Sequence, residues 1–235
     1  MRNGRTALTI LVLLHCFSGS VLAEKQTDEP CPKCFFPDLW KDQKKIWTAP
    51  FKKETWDSPA PFMMLDVAGA SFALDVEVSR SLRENESFDN FNKVFSSRAA
   101  DIILTAYSLS FVALGHITDN KELAVYGWKA TEAALDALIV TILVKKATLR
   151  ARPHTGNPYG FWEGGNSFPS GHAAISWAIA AYTAKHFSDK KWVRWVAYPI
   201  AGLITFARVT SGHHFVSDAV TGSLIGFSIG RFVVK

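Results

Sequence analysis

At 235 residues the chain can bury the core of one domain and has room for little beyond an appendage. Its 48% hydrophobic and 20% charged residues exclude disordered, collagen-like and coiled-coil classes, and three cysteines cannot build a disulfide scaffold. A net charge of +5 is too slight for the dense basic patch of a nucleic-acid binder, so no nucleic acid is expected as a partner.

The chain begins with an address. Arg2 and Arg5 precede the apolar run Ala7 to Phe17, and small residues lead to Val21-Leu22-Ala23, where Val21 and Ala23 suit a signal peptidase. The run is short for a membrane span, so residues 1–23 read as a signal peptide cleaved after Ala23. Export to a periplasm or cell envelope is expected. In that oxidising setting the Cys31-Pro-Lys-Cys34 pair predicts a local disulfide; a zinc site would need a second pair.

Residues 24–61 carry Trp40, Lys44, Lys45, Trp47, Pro50 and Trp56 with no sustained periodicity. They predict a loosely structured polar arm lying on the body or on a membrane surface. The domain proper is residues 62–235. Its helical segments are expected at roughly 62–82, 101–117, 121–150, 173–186, 191–209 and 214–234. No alternating Val/Ile/Thr run suggests a sheet, so the class is all-α, a bundle of about six helices. Its longest uncharged apolar segment, Ile102 to Ile117, has 16 residues, short of the roughly 20 that span a bilayer. Asp136, Arg194 and Asp218 interrupt the other apolar segments. A soluble bundle and one set shallowly in the bilayer both fit.

Three clusters carry chemistry. Lys145 and Arg152 stand seven apart, two helical turns, and predict two cations on one helix face ahead of Pro153. Pro169-Ser170-Gly171-His172 leads straight into a helical segment. Ser170 suits an N-cap, Gly171 allows close backbone approach, and the free amides of such a helix start attract an anion. His172 would sit beside that anion with a proton to give or take near neutrality. Last comes Arg208, then His213-His214 and Asp218. His214 and Asp218 are four apart, so a carboxylate can hold one ring nitrogen and leave the other for a substrate. Arg208 offers a fork matched to phosphate oxygens. Singly, the clusters have ordinary readings: a solvated helix end, a capped helix, a paired structural histidine. Together they describe a pocket for a tetrahedral oxyanion with a nucleophile and an acid beside it.

Lys145, six residues, Arg152-Pro153; Pro169-Ser170-Gly171-His172; Arg208, five residues, His214, three residues, Asp218: this order and spacing resembles the signature of the type-2 phosphatidic acid phosphatase and vanadium haloperoxidase superfamily. The one departure is Ala207, where the family usually has Ser. The resemblance implies a helical bundle with the active site at one end, and a phosphatase. His214 would attack phosphorus and Asp218 would orient its ring. His172 would protonate the leaving oxygen, then activate water. Lys145, Arg152 and Arg208, with the groups around Ser170 and Gly171, would bind the phosphoryl oxygens. With that charge and a protein nucleophile, neither metal nor cofactor is expected. The substrate is expected to be a phosphate ester, a lipid phosphate or a polyprenyl (di)phosphate, with membrane association through aromatic residues.

Other readings stay open. A vanadate-dependent haloperoxidase would hold vanadate as cofactor in the same pocket, though such relatives tend to be longer. A soluble acid phosphatase acting on small monoesters, or an envelope protein with a disabled site, would also keep the helices. His213 reads as structural, and His116, His154 and His186 as structural or surface residues. Tyr159, Phe161 and Trp162 are placed at an entrance.

Overall fold

The computed structural model describes residues 32–234, apart from positions 84, 97, 156 and 158. The expected signal peptide and Cys31 lie outside the described residues, while Cys34 is disulfide-bonded. Among the described residues there is no strand, and nine α-helices follow in order. They are α1 (Phe35–Thr48), α2 (Ala60–Phe72), α3 (Asp75–Arg83), α4 (Asp89–Phe95) and α5 (Arg98–Ile117), then α6 (Lys121–Thr148), α7 (Gly171–His186), α8 (Lys191–Thr210) and α9 (Val216–Ser228). A π-helical turn, Ile229–Val233, follows α9. Each of the six expected segments is helical, the first being broken after Phe72 into α2 and α3. Among the described residues no helix is long and apolar enough to cross a membrane.

The expected loose arm is helical over α1. Phe35, Leu39, Gln43 and Ile46 recur at helical spacing and turn inward, while Trp40, Lys44 and Trp47 face out. The dense lysines and acids masked that stripe. Gln43 Nε2 donates to Asp136 Oδ1 at 2.7 Å, and Lys129 reaches Asp38 at 3.2 Å and Glu132 at 2.9 Å, tying α1 to α6.

Asp42, Glu132 and Asp136 thereby bring carboxyl oxygens within 4.8 Å of one another. Burial pushes the Glu132 and Asp136 carboxyls up to about 7, with the neighbouring Asp42 adding to the effect in both. A proton is held there in the folded chain well above the pH at which a free carboxyl loses it. The stability this contributes is present at low pH and lost as pH rises through about 7. Asp136→Asn keeps an oxygen for Gln43 without the charge. It is expected to leave stability unchanged near pH 3, where the carboxyl is protonated folded and unfolded, and to raise it by more than about 1 kcal/mol at pH 8. Urea midpoints at the two pH values check this; an equal gain at both would mean that Asp136 holds no proton.

The middle of the bundle is α7, packed between α6, α8 and α9. Its alanines 173, 174, 178, 180 and 181 are all buried, and small side chains let the neighbouring axes approach. On α9 and the turn after it, Gly222, Gly226 and Gly230 lie against the carbonyls of Ser170, Ala174 and Ala178. A Cβ at any of the three would collide with main chain. The end of the bundle away from the motifs is filled by Phe111, Tyr126, Tyr182, Phe187 and Ile229. There Tyr126 shares a 2.7 Å hydrogen bond with Thr183.

Candidate active site

Four helix ends meet at the other pole. Leu149 caps α6 in the left-handed region (φ 45°) and donates its N–H to Lys145 O, so the helix stops at Thr148. Arg150, Ala151 and Arg152 lie beyond it. The expected sharing of one helix face by Lys145 and Arg152 therefore does not hold. Both side chains nevertheless converge on Asn166: Lys145 Nζ donates to its carbonyl at 2.6 Å, and Arg152 Nε to its Oδ1 at 2.7 Å. Lys145 also reaches Ser167 O at 3.2 Å. Burial, then the charges of Arg152 and Arg208, bring the Lys145 ammonium down to about 8.

Ser170 is the N-cap of α7, as its place before the helix suggests. Its Oγ accepts the Ala173 N–H at 3.5 Å, and its own N–H donates to Asp218 O at 2.9 Å. That amide is thus spent on α9 and not offered to an anion. The Gly171 amide remains at the helix start, where first-turn N–H groups have no intrahelical acceptor. A Cβ at Gly171 would meet only Thr141 Oγ1, at 3.7 Å, so protein packing does not demand the glycine.

Arg208, near the end of α8, is buried and donates through Nη1 to Ser96 O at 2.7 Å and Ser96 Oγ at 2.8 Å. Ser96 Oγ is 2.7 Å from Ser211 Oγ, which is 2.7 Å from His213 Nδ1. Gly212, at φ 68°, makes the turn, and the His214 N–H returns to Arg208 O at 3.1 Å. His214 precedes α9 rather than riding on it, so its contact with Asp218 is made across a helix start. His214 Nδ1 stands 3.6 Å from Asp218 Oδ2, just beyond hydrogen-bond length, a separation such pairs close when substrate binds. Burial, with the Lys145 and Arg208 charges, brings the His214 ring down to about 3. The imidazole is neutral at neutral pH. Burial opposes ionisation of Asp218, but the His214 ring, Arg150 and Ser167 more than offset it and hold the carboxyl below its ordinary value.

The support beneath this pair was not anticipated. Arg150 is completely buried, with Nη1 2.6 Å from Asp218 Oδ1 and from Ser217 Oγ, and Nη2 2.6 Å from Asp75 Oδ2. Phe72, Phe161, Phe168 and Phe215 surround its guanidinium, the nearest centroid 4.5 Å away. Phe161 is therefore part of this cradle and not of an entrance; Tyr159 and Trp162 are exposed. Ser167 Oγ donates to Asp218 Oδ2 at 2.5 Å, and the Phe215 N–H to the same oxygen at 2.9 Å. Nothing local marks the acid of this network, because Asp75 stands between Asp66 and Glu77 in the sequence.

His213 and His154 also belong to this pole. Burial lowers the His213 ring to about 4, and the charges of Arg208, Arg152, His172 and His154 push it the same way. His186 lies elsewhere, its ring against Tyr126 and Phe187. The carboxyl set suited to a cation, Asp42, Glu132 and Asp136, is on α1 and α6, away from these motifs.

The sequence model of the PAP2 superfamily matches residues 127–235. Over these residues, a little under half of the chain, the sequence is similar to the PAP2 superfamily. All the motif residues fall inside the PAP2 match, whereas Asp75 and Ser96 come from outside it. A lipid A 4'-phosphatase of Porphyromonas gingivalis is 31% identical over 77 residues, 33% of this chain and 32% of the relative. A lipid A 1-phosphatase of the same organism is 30% identical over 67 residues, 28% of this chain and 15% of the relative. The chain thus matches about a third, at most, of the length of these two relatives. A solved structure, a transmembrane PAP2 type phosphatidylglycerolphosphate phosphatase from Bacillus subtilis, aligns over 99% of this chain and 94% of that one. The TM-score is 0.41 at 19% identity.

Proposed function

We propose that the chain is a phosphatase of lipid phosphates that works through a phosphohistidine at His214. The observation that carries the reading is a buried, neutral imidazole 3.6 Å from a carboxylate, in the field of Lys145 and Arg208. With Nδ1 turned to Asp218, the other ring nitrogen is the one that attacks. The N–P bond forms as the P–O bond to the leaving group breaks, and His172 gives that oxygen a proton. His172 then takes a proton from water, which displaces the histidine and frees phosphate. Lys145, Arg152 and Arg208 offset the charge on the phosphoryl oxygens in both steps. No metal is needed for this sequence.

A lipid substrate is supported by the two lipid A phosphatase relatives and by the outer surface. Phe36, Trp40, Phe51, Met63 and Trp195 are exposed, an apolar endowment suited to a membrane interface. Location outside the cytoplasm, in the cell envelope, is part of the proposal, and the signal-like residues 1–23 support it.

The test is an assay of the mature protein on a phosphorylated lipid and on a small soluble phosphomonoester. A higher kcat/KM is expected for the lipid, competitive inhibition by vanadate, and no effect of EDTA. His172→Ala should slow turnover by about 10²–10⁴-fold. Preference for the soluble ester would overturn the lipid assignment. Inactivation by EDTA that a divalent metal reverses would overturn the metal-free mechanism.

A further inference from the structure

We propose that Asp75 is a positioning residue for the nucleophile, acting on His214 through Arg150, Ser217 and Asp218. The proposal rests on the reading of His214 as nucleophile.

Asp75 opens α3, is completely buried, and spends both oxygens on the far side of the site. Oδ1 accepts the Ser217 N–H at 2.8 Å; Oδ2 accepts the Ser217 hydroxyl and Arg150 Nη2, each at 2.6 Å. Ser217 immediately precedes Asp218 at the first turn of α9. Asp75 thereby fixes the main chain from which the Asp218 side chain projects.

Its second effect is on charge. Arg150 has one carboxylate on each Nη, and four phenylalanine rings keep water from its guanidinium. A single carboxylate facing a buried guanidinium would be drawn wholly to it. With Asp75 taking half of the fork, Asp218 is left with Oδ2 directed at Ser167, the Phe215 amide and His214. Removing the Asp75 charge pulls Asp218 toward Arg150 and away from the ring that it must orient.

A tie that only fastened α3 to α9 would show itself as lost stability and a generally disordered pocket. A positioning role predicts a split. Anion binding depends on Lys145, Arg152 and Arg208, none of which Asp75 touches, while the chemical step depends on the ring.

The experiment compares wild type, Asp75→Asn, Ser217→Ala and His214→Ala for near-UV circular dichroism, kcat, KM and vanadate inhibition. Folded Asp75→Asn is expected to lose about 10–100-fold in kcat, the range for outer partners that orient a functional histidine. Its KM and vanadate inhibition constant should stay within about 3-fold of wild type, with Asp75→Glu regaining part of kcat. Wild-type kcat in folded Asp75→Asn overturns the proposal, and so does loss of vanadate inhibition in step with kcat. If Asp75→Asn does not fold, Ser217→Ala decides: it cuts the hydroxyl bridge but keeps the Asp75–Arg150 pair. Lowered kcat at unchanged vanadate inhibition supports the proposal, and unchanged kcat overturns it. A His214→Ala variant that turns over normally would refute the nucleophile assignment itself. His214→Ala inactive beside an unimpaired Asp75→Asn would refute the positioning role alone.

Discussion

His214→Ala is expected to abolish turnover, a loss on the order of 10⁴-fold or more for a covalent nucleophile. No neighbouring ring can stand in. His213, next in the chain, is bonded through Nδ1 to Ser211 and faces the serine pair that holds Arg208. His172 is placed at the start of another helix. In a rapid-quench experiment with labelled substrate, wild type should carry phosphate that acid removes and alkali does not. The variant should carry none. The ring at about 3 adds a pH expectation: the nucleophile stays unprotonated, so mild acid alone should not silence it. Turnover by the alanine variant at the wild-type rate would move the nucleophile elsewhere.

The largest loss of stability is expected from Arg150→Met. A methionine fills much of the aromatic cradle, so the effect is electrostatic more than a matter of volume. It leaves Asp75 and Asp218, both fully buried, without the cation they share. Removing one partner of a buried ion pair costs about 3–5 kcal/mol, about a fifth or more of the roughly 5–15 kcal/mol that holds an ordinary domain folded. Denaturant unfolding at pH 7 measures it. A change below about 1 kcal/mol would mean that the triad is not the keystone of this pole. The variant Asp75→Leu with Arg150→Met should recover part of the loss, because it removes a stranded charge together with its partner.

The candidate site was legible as a constellation because its groups sit in short runs: Ser170 two residues before His172, His214 four before Asp218. What escaped has a common physical cause. The bonds from Asp75 to Ser217 cross 142 positions of sequence, and that from Arg208 to Ser96 crosses 112; no local period records a contact of that reach. The end of α6 was misplaced because Leu149, not a glycine, takes the left-handed conformation that stops it. Arg150 looked like one more basic residue in a basic run, and only the four rings and two carboxylates around it separate it from Arg152. The helix in the arm was hidden because one inward stripe of four residues is hard to see among lysines and acids that all face water.

Gly222, Gly226 and Gly230 seat α9 on the carbonyls of α7, so the distance between the two helix starts is set by main chain touching main chain. Side chains can repack around an altered neighbour; a backbone in contact with a backbone has nowhere to move. His172 and the His214–Asp218 pair are therefore held in register by residues that contribute no functional group. The intervening α8, with an internal Pro199 and an exposed apolar face, can diverge along most of its length without disturbing that register. A single methyl group added at position 226 would reach the reaction centre sooner than the replacement of a whole outer helix turn.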